Sequence, residues 1–320
     1  MQIQRYNTIM LIKPTWVLLA LLFVMAIPKA NAQQDPLYTQ YMFNTLAYNP
    51  AYAGTRDMVS LMALSRHQWV GFEGAPSTQT VTGHTPVGKN IGLGLTLIHD
   101  VVNPSSQTGL YFDYAYRIKI SENSKLSFGL KGGFNYFQLD MSKLQTATPG
   151  DDPTLNVGAT SKYLPNFGFG LYYFSDKYFI GLSAPKLLEN KLLNSDNEIL
   201  GQEGSEVRHY FITGGYVFNL SDEIKFKPTF MSQLTQASPM SLDLNANFLF
   251  KEKLWVGAMY RLNNSFGAIL QYQFTPQFKV GYGFDMTTNA LRNYNSGTHE
   301  IMISYELNFT KEKVENPRYF

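Results

Sequence analysis

The amino-acid sequence predicts an all-β transmembrane protein: an outer-membrane β-barrel of about 14 antiparallel strands with an N-terminal plug or tether segment. Three observations predict this fold class. Apolar and polar residues alternate in one segment after another, aromatic residues are abundant, and short connections alternate with longer ones. Aromatic residues make up 15% of the chain and charged residues only 16%, a balance typical of barrels with aromatic girdles. The mean hydropathy of -0.18 disfavours a bundle of membrane helices.

The stretch over residues 110–120 shows the alternation most clearly. One face carries apolar and aromatic side chains: Leu110, Phe112, Tyr114, Tyr116, Ile118 and Ile120. The other face includes Asp113, Arg117 and Lys119. Successive side chains of a strand point to opposite faces, so the apolar row is expected to face lipid and the charged row the lumen. The stretch is also long enough to cross a bilayer, which takes roughly 9 to 11 tilted residues.

The N-terminus has the pattern of a secretory signal peptide. Arg5 and Lys13 precede an apolar run over residues 16–27, and Ala30-Asn31-Ala32 forms a small-residue cleavage site. A single anchoring helix is the alternative, but the run is short for a membrane span. We therefore expect residues 1–32 to be removed near Ala32 and the mature chain to reside in the outer membrane of a Gram-negative bacterium.

Charge and cysteine content exclude several classes of protein. Removing residues 1–32 takes away three basic residues and no acidic one, which leaves 23 basic and 24 acidic residues in the mature chain. This near-neutral balance gives no sign of nucleic-acid binding. The sequence has no cysteine, which excludes disulfides and thiolate metal sites.

Residues 33–55 differ from the rest of the mature chain because they lack the strand pattern. Apolar residues recur there at roughly helical spacing until Asn49-Pro50 and Gly54 break the pattern. The sequence predicts a short helical or turn segment. It would either plug the barrel or lie in the periplasm, where it could contact a partner.

Residues 56–310 are predicted to form the barrel, followed by a tail over residues 311–320. The predicted strands are 58–69, 77–86, 90–100, 105–120, 124–139, 166–175, 177–184, 207–220, 222–234, 240–250, 252–262, 264–275, 277–288 and 297–309. Tight charged turns alternate with longer loops between them, and a soluble β-sandwich, the alternative, has no reason to show this alternation. With short turns in the periplasm, both chain termini are expected on that side and the long loops outside.

The predicted lumen carries charges of both signs. The inward rows include Arg66, Asp113, Arg117, Lys119, Lys125, Lys131, Lys225, Lys227, Asp243, Arg261, Lys279, Asp285, Glu300 and Glu306. Mixed signs favour pairing over a selective constriction of one sign. A lumen of about fourteen strands is too wide for side chains alone to fill. We expect these charges, the loop over residues 140–165 or the segment over residues 33–55 to close it.

Catalytic and metal-binding signals are weak. No nucleophile elbow, zinc helix, Walker A loop or dinucleotide fingerprint occurs, so the sequence predicts no enzyme and no cofactor. The five histidines are scattered: His67, His84, His99, His209 and His299. A hydrolase assembled from Ser and His on neighbouring strands remains an alternative. Asp151, Asp152 and Asn156 could hold calcium, but their spacing is not that of an EF-hand.

A loop near residues 184–193 carries four leucines that would be exposed outside the membrane: Leu187, Leu188, Leu192 and Leu193. Exposed apolar clusters mark interaction sites. The leucines would therefore either fold into the barrel mouth or bind another protein. They are the candidate partner-binding residues.

Several stretches resemble one family, the PorP/SprF outer-membrane proteins of type IX secretion. The matching stretches are DPLYTQYMFNTLAYNPAYAG at 35–54, RHQWVGFEGAPSTQTVTGHTP at 66–86, KNIGLGLTLIHD at 89–100 and LPNFGFGLYYFSDKYFIGLSAPKLL at 164–188. The resemblance implies a barrel without catalytic residues that supports secretion or surface attachment of a cognate gliding-associated adhesin. The partners it implies are an adhesin with a type IX C-terminal domain and other type IX secretion components. A passive or substrate-specific pore is the alternative function.

Overall fold

The computed structural model describes residues 36–140, 159–192, 205–236 and 238–307. Fourteen strands in these residues form one closed antiparallel barrel, as the sequence predicts. They are β1 (Val59–His67), β2 (Ser77–Val87), β3 (Ile91–Val102), β4 (Ser105–Ser121), β5 (Ser124–Leu139), β6 (Thr160–Ser175), β7 (Tyr178–Ala184), β8 in two pieces (His209–Tyr216 and Phe218–Asn219), β9 (Ile224–Thr235), β10 (Ser238–Phe250), β11 (Leu254–Arg261), β12 (Ser265–Gln273), β13 (Phe278–Thr287) and β14 (Thr298–Leu307).

Each strand pairs with the next one along the chain, and β14 pairs with β1 to close the barrel. In this closing pair Val59 lies opposite Leu307 and Arg66 lies opposite Glu300. Closure gives every strand a partner on both sides, which is the condition for a sheet to span a membrane. It also brings together residues from the two ends of the barrel sequence.

The two faces of β4 confirm the predicted alternation. Phe112 is 61% exposed and Tyr114 42% on the outer surface, whereas Tyr111 is 2% and Asp113 3% exposed on the lumen side. An apolar outer surface and a polar lumen suit a wall that contacts lipid. The Thr-rich strand β2 shows the same alternation, because Thr78 and Thr80 are buried toward the lumen and Val81 is exposed.

The connections fall into two sets, one at each end of the barrel. Six short turns define what we call the turn end: 88–90, 122–123, 176–177, 220–223, 251–253 and 274–277. Seven connections define the loop mouth: 68–76, 103–104, 140–159, 185–208, 236–237, 262–264 and 288–297. The longest connections all lie at the loop mouth, although three connections there are short: 103–104, 236–237 and 262–264.

Residues 36–55, here called the plug segment, lie inside the barrel. The segment contains a 3-10 helix at Tyr41–Phe43, one α-helical turn at Thr45–Tyr48 and a second 3-10 helix at Pro50–Tyr52. Its residues from Tyr38 to Thr55 are buried apart from half-buried Ala47. Of the two locations predicted from sequence, the structure therefore places this segment in the lumen.

The plug segment passes through the barrel from the loop mouth to the turn end. Pro36 lines cavities at the loop mouth together with Trp69 and Lys186. Gly54 lies near the turn end, where a Cβ on it would contact Pro86 and Gly92. The sequence predicts the N-terminus of the mature chain on the turn side, whereas Pro36, the first described residue, lies at the loop mouth. The segment therefore crosses the lumen, with one end at the loop mouth and the other near the turn end.

Some sequence-based predictions fall outside the described residues. These are the signal peptide over 1–32, the tail over 311–320, the calcium candidates Asp151, Asp152 and Asn156, and Leu193. In the described part of the chain, helices are all too short to cross a membrane.

The orientation of the barrel can be tested by labelling. A cysteine replacing Glu189, at the loop mouth, is expected to react with an impermeant maleimide on intact cells. A cysteine replacing Glu252, at the turn end, is expected to react only after the membrane is opened. The two native side chains are 46% and 55% exposed, so burial does not explain the expected difference. Labelling on intact cells at Glu252→Cys alone would show the opposite orientation.

Candidate functional site: the plugged lumen and the loop mouth

A buried group of charged residues binds the part of the plug segment nearest the loop mouth. We call it the ion cluster, and it consists of Arg66, Asp285 and Glu300. Arg66 Nη1 donates to Asp285 Oδ2 at 2.9 Å and to Glu300 Oε2 at 3.2 Å. The three side chains are at most 3% exposed. Buried charges need such pairing, because an unpaired charge away from water is costly.

The plug segment completes the ion cluster. The backbone N–H groups of Thr39 and Gln40 each donate to a Glu300 oxygen at 2.9 Å. The Thr39 hydroxyl donates to Asp285 at 2.6 Å and accepts from Arg66 at 2.7 Å. The carboxylates therefore bind the arginine and the plug at once. Removing the plug would leave them with fewer donors in a buried site.

The middle of the plug segment packs on aromatic and cationic side chains. The Phe43 ring lies 5.6 Å from the Trp255 ring, edge to face. Lys227 Nζ lies 5.1 Å and Lys279 Nζ 6.0 Å from the centre of the Phe43 ring. Such cation–π contacts are stronger where water is excluded. Phe43 therefore packs against two lysines that the sequence predicts to face the lumen.

Two wall glycines allow the plug backbone to lie directly on the strands. A Cβ at Gly129 of β5 would come 2.1 Å from Ala51 N. A Cβ at Gly92 of β3 would come 2.0 Å from Ala53 O. Neither distance is possible between real atoms, so only glycine fits at these positions. The two glycines form part of the surface on which the Pro50–Tyr52 helix packs.

At the turn end, two arginines hold the last residues of the segment. Arg117 donates to the Gly54 carbonyl and, at 2.9 Å, to the Ile91 carbonyl. Arg56 pairs with Glu306 and donates to the Tyr52 hydroxyl at 3.1 Å. The plug segment is thus bound at both ends and packed along its middle.

The predicted partner-binding leucines do not share one environment. Leu188 is 38% exposed, Leu187 is half-buried, and Leu192 is only 5% exposed. Leu192 packs against Phe137 and Leu164 on the lumen side. Leu192 therefore follows the first of the two predicted alternatives, since the loop directs it inward over the barrel mouth.

An asparagine–glutamate network positions this loop. The Asn166 side-chain oxygen accepts from the N–H groups of Leu187 and Leu188 at 2.9 and 3.0 Å. The Glu206 carboxylate accepts from the side-chain amides of Asn135, Asn166 and Asn190 at 2.8, 3.2 and 2.6 Å. Sequence reasoning missed these residues, since scattered asparagines carry no linear signal. Their effect is to fix the exposed Leu188 against β6.

Comparison with known proteins gives the family. Residues 30–305 match the family described as "Type IX secretion system membrane protein PorP/SprF". The chain belongs to the PorP/SprF family. The resemblance found in its sequence stretches is thus confirmed over most of its length, and with it the prediction of a secretion-associated membrane barrel.

Solved structures similar to this PorP/SprF chain include a channel, an outer membrane protein and a porin. The CymD monoaromatic hydrocarbon channel is 13% identical, with 88% of this chain and 95% of that chain covered and a TM-score of 0.47. Acinetobacter baumannii Omp33 is 10% identical, with 78% and 98% covered and a TM-score of 0.45. The KdgM porin is 8% identical, with 78% and 99% covered and a TM-score of 0.37. No curated protein matches the chain.

Most lumen charges of this PorP/SprF barrel are paired, as their mixed signs predict. Lys131 Nζ lies 2.9 Å from Asp113 Oδ1, and Arg261 Nη2 lies 2.7 Å from Asp243 Oδ2. Lys119 differs from the prediction. Its side chain is 57% exposed at the turn end, where it pairs with Glu122 at 3.0 Å, because β4 continues past the lumen.

Four of the five histidines form ordinary hydrogen bonds: His67, His84, His99 and His299. His84 Nδ1 accepts from the Gly54 N–H at 3.1 Å. His67 lies on the outer face between the hydroxyls of Ser65 and Ser77, at 3.1 and 3.2 Å. A Ser–His–acid triad needs a carboxylate hydrogen-bonded to the imidazole. Within the described chain, no Asp or Glu side chain is hydrogen-bonded to His67. Groups of three or more potential metal ligands are likewise absent from the described residues.

Proposed function

We propose that this PorP/SprF barrel is a docking protein that supports secretion or surface attachment of a cognate adhesin through its loop mouth. The observation that carries the proposal is the filled lumen. Residues 36–55 occupy the space through which a porin would conduct, with Arg66 and Glu300 buried against them. When the lumen of a barrel is filled by its own chain, the surfaces at the two ends of the barrel remain available for binding.

The proposed partners are an adhesin carrying a type IX C-terminal domain and other components of the type IX system. The family supplies the link to secretion. The loop mouth supplies an exposed apolar side chain, Leu188, on a loop fixed by Asn166. A fixed loop loses little conformational freedom on binding, which favours association.

Removing the barrel from native cells tests the proposed function. Surface-bound adhesin is expected to fall, and the missing protein is expected in the medium or retained inside the cell. Quantitative mass spectrometry of the surface, medium and cell fractions measures this. Unchanged surface display of every secreted adhesin in the deletion strain would contradict the proposal.

Leu188→Ser is expected to weaken retention of the adhesin about tenfold while the barrel stays folded. Covering a leucine contributes about 1.5 to 3 kcal/mol, and Leu188 is already partly covered, so the lower part of that range applies. The ratio of surface-bound to released adhesin measures the effect.

The matched control for Leu188 is Leu192→Ser. Leu192 is buried with Phe137 and Leu164, so its loss is expected to destabilise the barrel by about 2 to 4 kcal/mol in urea unfolding. A folded Leu188→Ser barrel with unchanged adhesin retention would exclude Leu188 from the docking surface.

A further inference from the structure

Strands β5 and β6 extend well beyond the neighbouring strand β7 at the loop mouth. They have 16 residues each, whereas β7 has only 7. Crossing a bilayer takes roughly 9 to 11 residues, so the upper parts of β5 and β6 lie outside the membrane. Pairing between β6 and β7 covers only residues 169–174 of β6. The part of β6 over residues 160–168 therefore has a strand partner on one side only.

Some backbone groups on the open side of β6 have partners outside the strands. The Phe167 carbonyl accepts from Leu187 N–H at 2.9 Å, and the Pro165 carbonyl accepts from the Asn190 side chain at 3.0 Å. Alternate residues of a strand point their N–H and C=O groups to the same side. Ser161 and Tyr163 therefore point theirs to this side, and in the described chain no partner strand or loop backbone pairs with them there.

Pro165 supports the assignment of an edge. Proline has no N–H to give to a ladder and occurs in sheets mainly on edge strands. The Pro165 nitrogen faces the side that β7 does not reach. The absence of an N–H there leaves the pairing of β6 with β5 complete. The proline also limits the open edge to a few residues, which protects the free barrel against unspecific strand pairing.

The surroundings of this edge are aromatic and accessible. Tyr163 is 68% exposed, and its ring lies 4.8 Å from Tyr136 and 5.8 Å from Phe134. The loop after β7 contacts the edge at Phe167 and Pro165 and then turns inward, where Leu192 packs on Leu164. The edge thus combines open backbone groups with a ring surface on one face.

We propose that the β6 edge at Ser161 and Tyr163 binds an extended segment of the secreted adhesin by β-strand addition. The proposal rests on the docking function proposed above and names its binding site. Paired N–H and C=O groups repeating every two residues, about 6.6 to 6.8 Å apart, are matched by another extended polypeptide. Side chains of the added strand would pack on the rings of Tyr163 and Tyr136.

Ser161→Pro is the test variant, because it removes an N–H on the open side and places the proline ring in the path of an added strand. Purified type IX C-terminal domains from the same organism are the probe. Their affinity for the barrel is expected to fall about tenfold or more, the effect of a lost hydrogen bond plus a steric block. Ser161→Ala, which keeps the N–H, is the matched control and is expected to bind normally.

Hydrogen exchange of the unmodified barrel gives a second measurement that does not depend on the variant folding. Amides at Ser161 and Tyr163 are expected to exchange rapidly in the free barrel and slowly with the bound domain. Slow exchange in the free barrel would mean that its own chain covers the edge, and the proposal would be wrong. Rapid exchange in the complex, or normal binding by a folded Ser161→Pro barrel, would also overturn it.

The two proposals fail in different ways. If deleting the barrel leaves adhesin display unchanged, the docking function itself is wrong. If deletion abolishes display while Ser161→Pro does not, docking takes place at another part of the loop mouth.

Discussion

Deleting residues 36–54 is expected to convert a closed barrel into a conducting one. Barrels of about eight strands are filled by side chains, whereas larger ones leave a channel unless something occupies it. In this barrel of fourteen strands, the deleted residues pack from the ion cluster at Glu300 to Arg117 near the turn end. Their removal should leave a water-filled lumen lined by polar side chains.

Planar-bilayer recording measures this change. The intact barrel is expected to show no steady current, and the deletion variant porin-like conductance steps. A heat-dependent gel shift verifies that both are folded, and the folded Leu188→Ser barrel, altered only at the loop mouth, should stay closed. If the intact protein already conducts like a general porin, the pore is the better function. If the folded deletion variant stays closed, another element closes the lumen.

The wall could be predicted from the sequence because its pattern is local. The rows around Phe112 and Asp113 alternate at the period of a strand, and each hairpin pairs neighbours in sequence. The location of the plug segment could not be decided in this way. Its position depends on contacts such as Thr39 with Glu300, 261 residues apart, and on wall glycines that the period-two pattern does not distinguish.

The arrangement of the leucine-bearing loop could be predicted only in part. Four leucines in one loop indicate an apolar cluster, but the exposure of each depends on the direction of the loop. Asn166 and Glu206 set that direction through hydrogen bonds to Leu188 and Asn190. No sequence pattern predicts these hydrogen bonds. Leu192 therefore points inward while Leu188 stays exposed. The β6 edge escaped prediction for a similar reason, because its openness depends on where β7 ends.

Glu300→Ala is expected to release the plug as well as destabilise the protein. Glu300 is buried and accepts hydrogen bonds from Thr39, Gln40 and Arg66. Removing one partner of a buried ion pair costs about 3 to 5 kcal/mol, because the remaining charge stays buried. Here two plug N–H groups also lose their acceptor. The free energy of unfolding in urea should fall by this amount, and conductance should appear.

Lys131→Met separates the two effects. Lys131 pairs with Asp113 within the barrel wall at 2.9 Å, and both side chains are at most 3% exposed. Its loss should lower the free energy of unfolding by a similar amount but leave the barrel closed, since no hydrogen bond between this pair and the plug segment occurs among the described residues. Conductance in Glu300→Ala but not in Lys131→Met would therefore assign plug retention to the ion cluster. A closed Glu300→Ala barrel with unchanged stability would show that the cluster does not hold the plug.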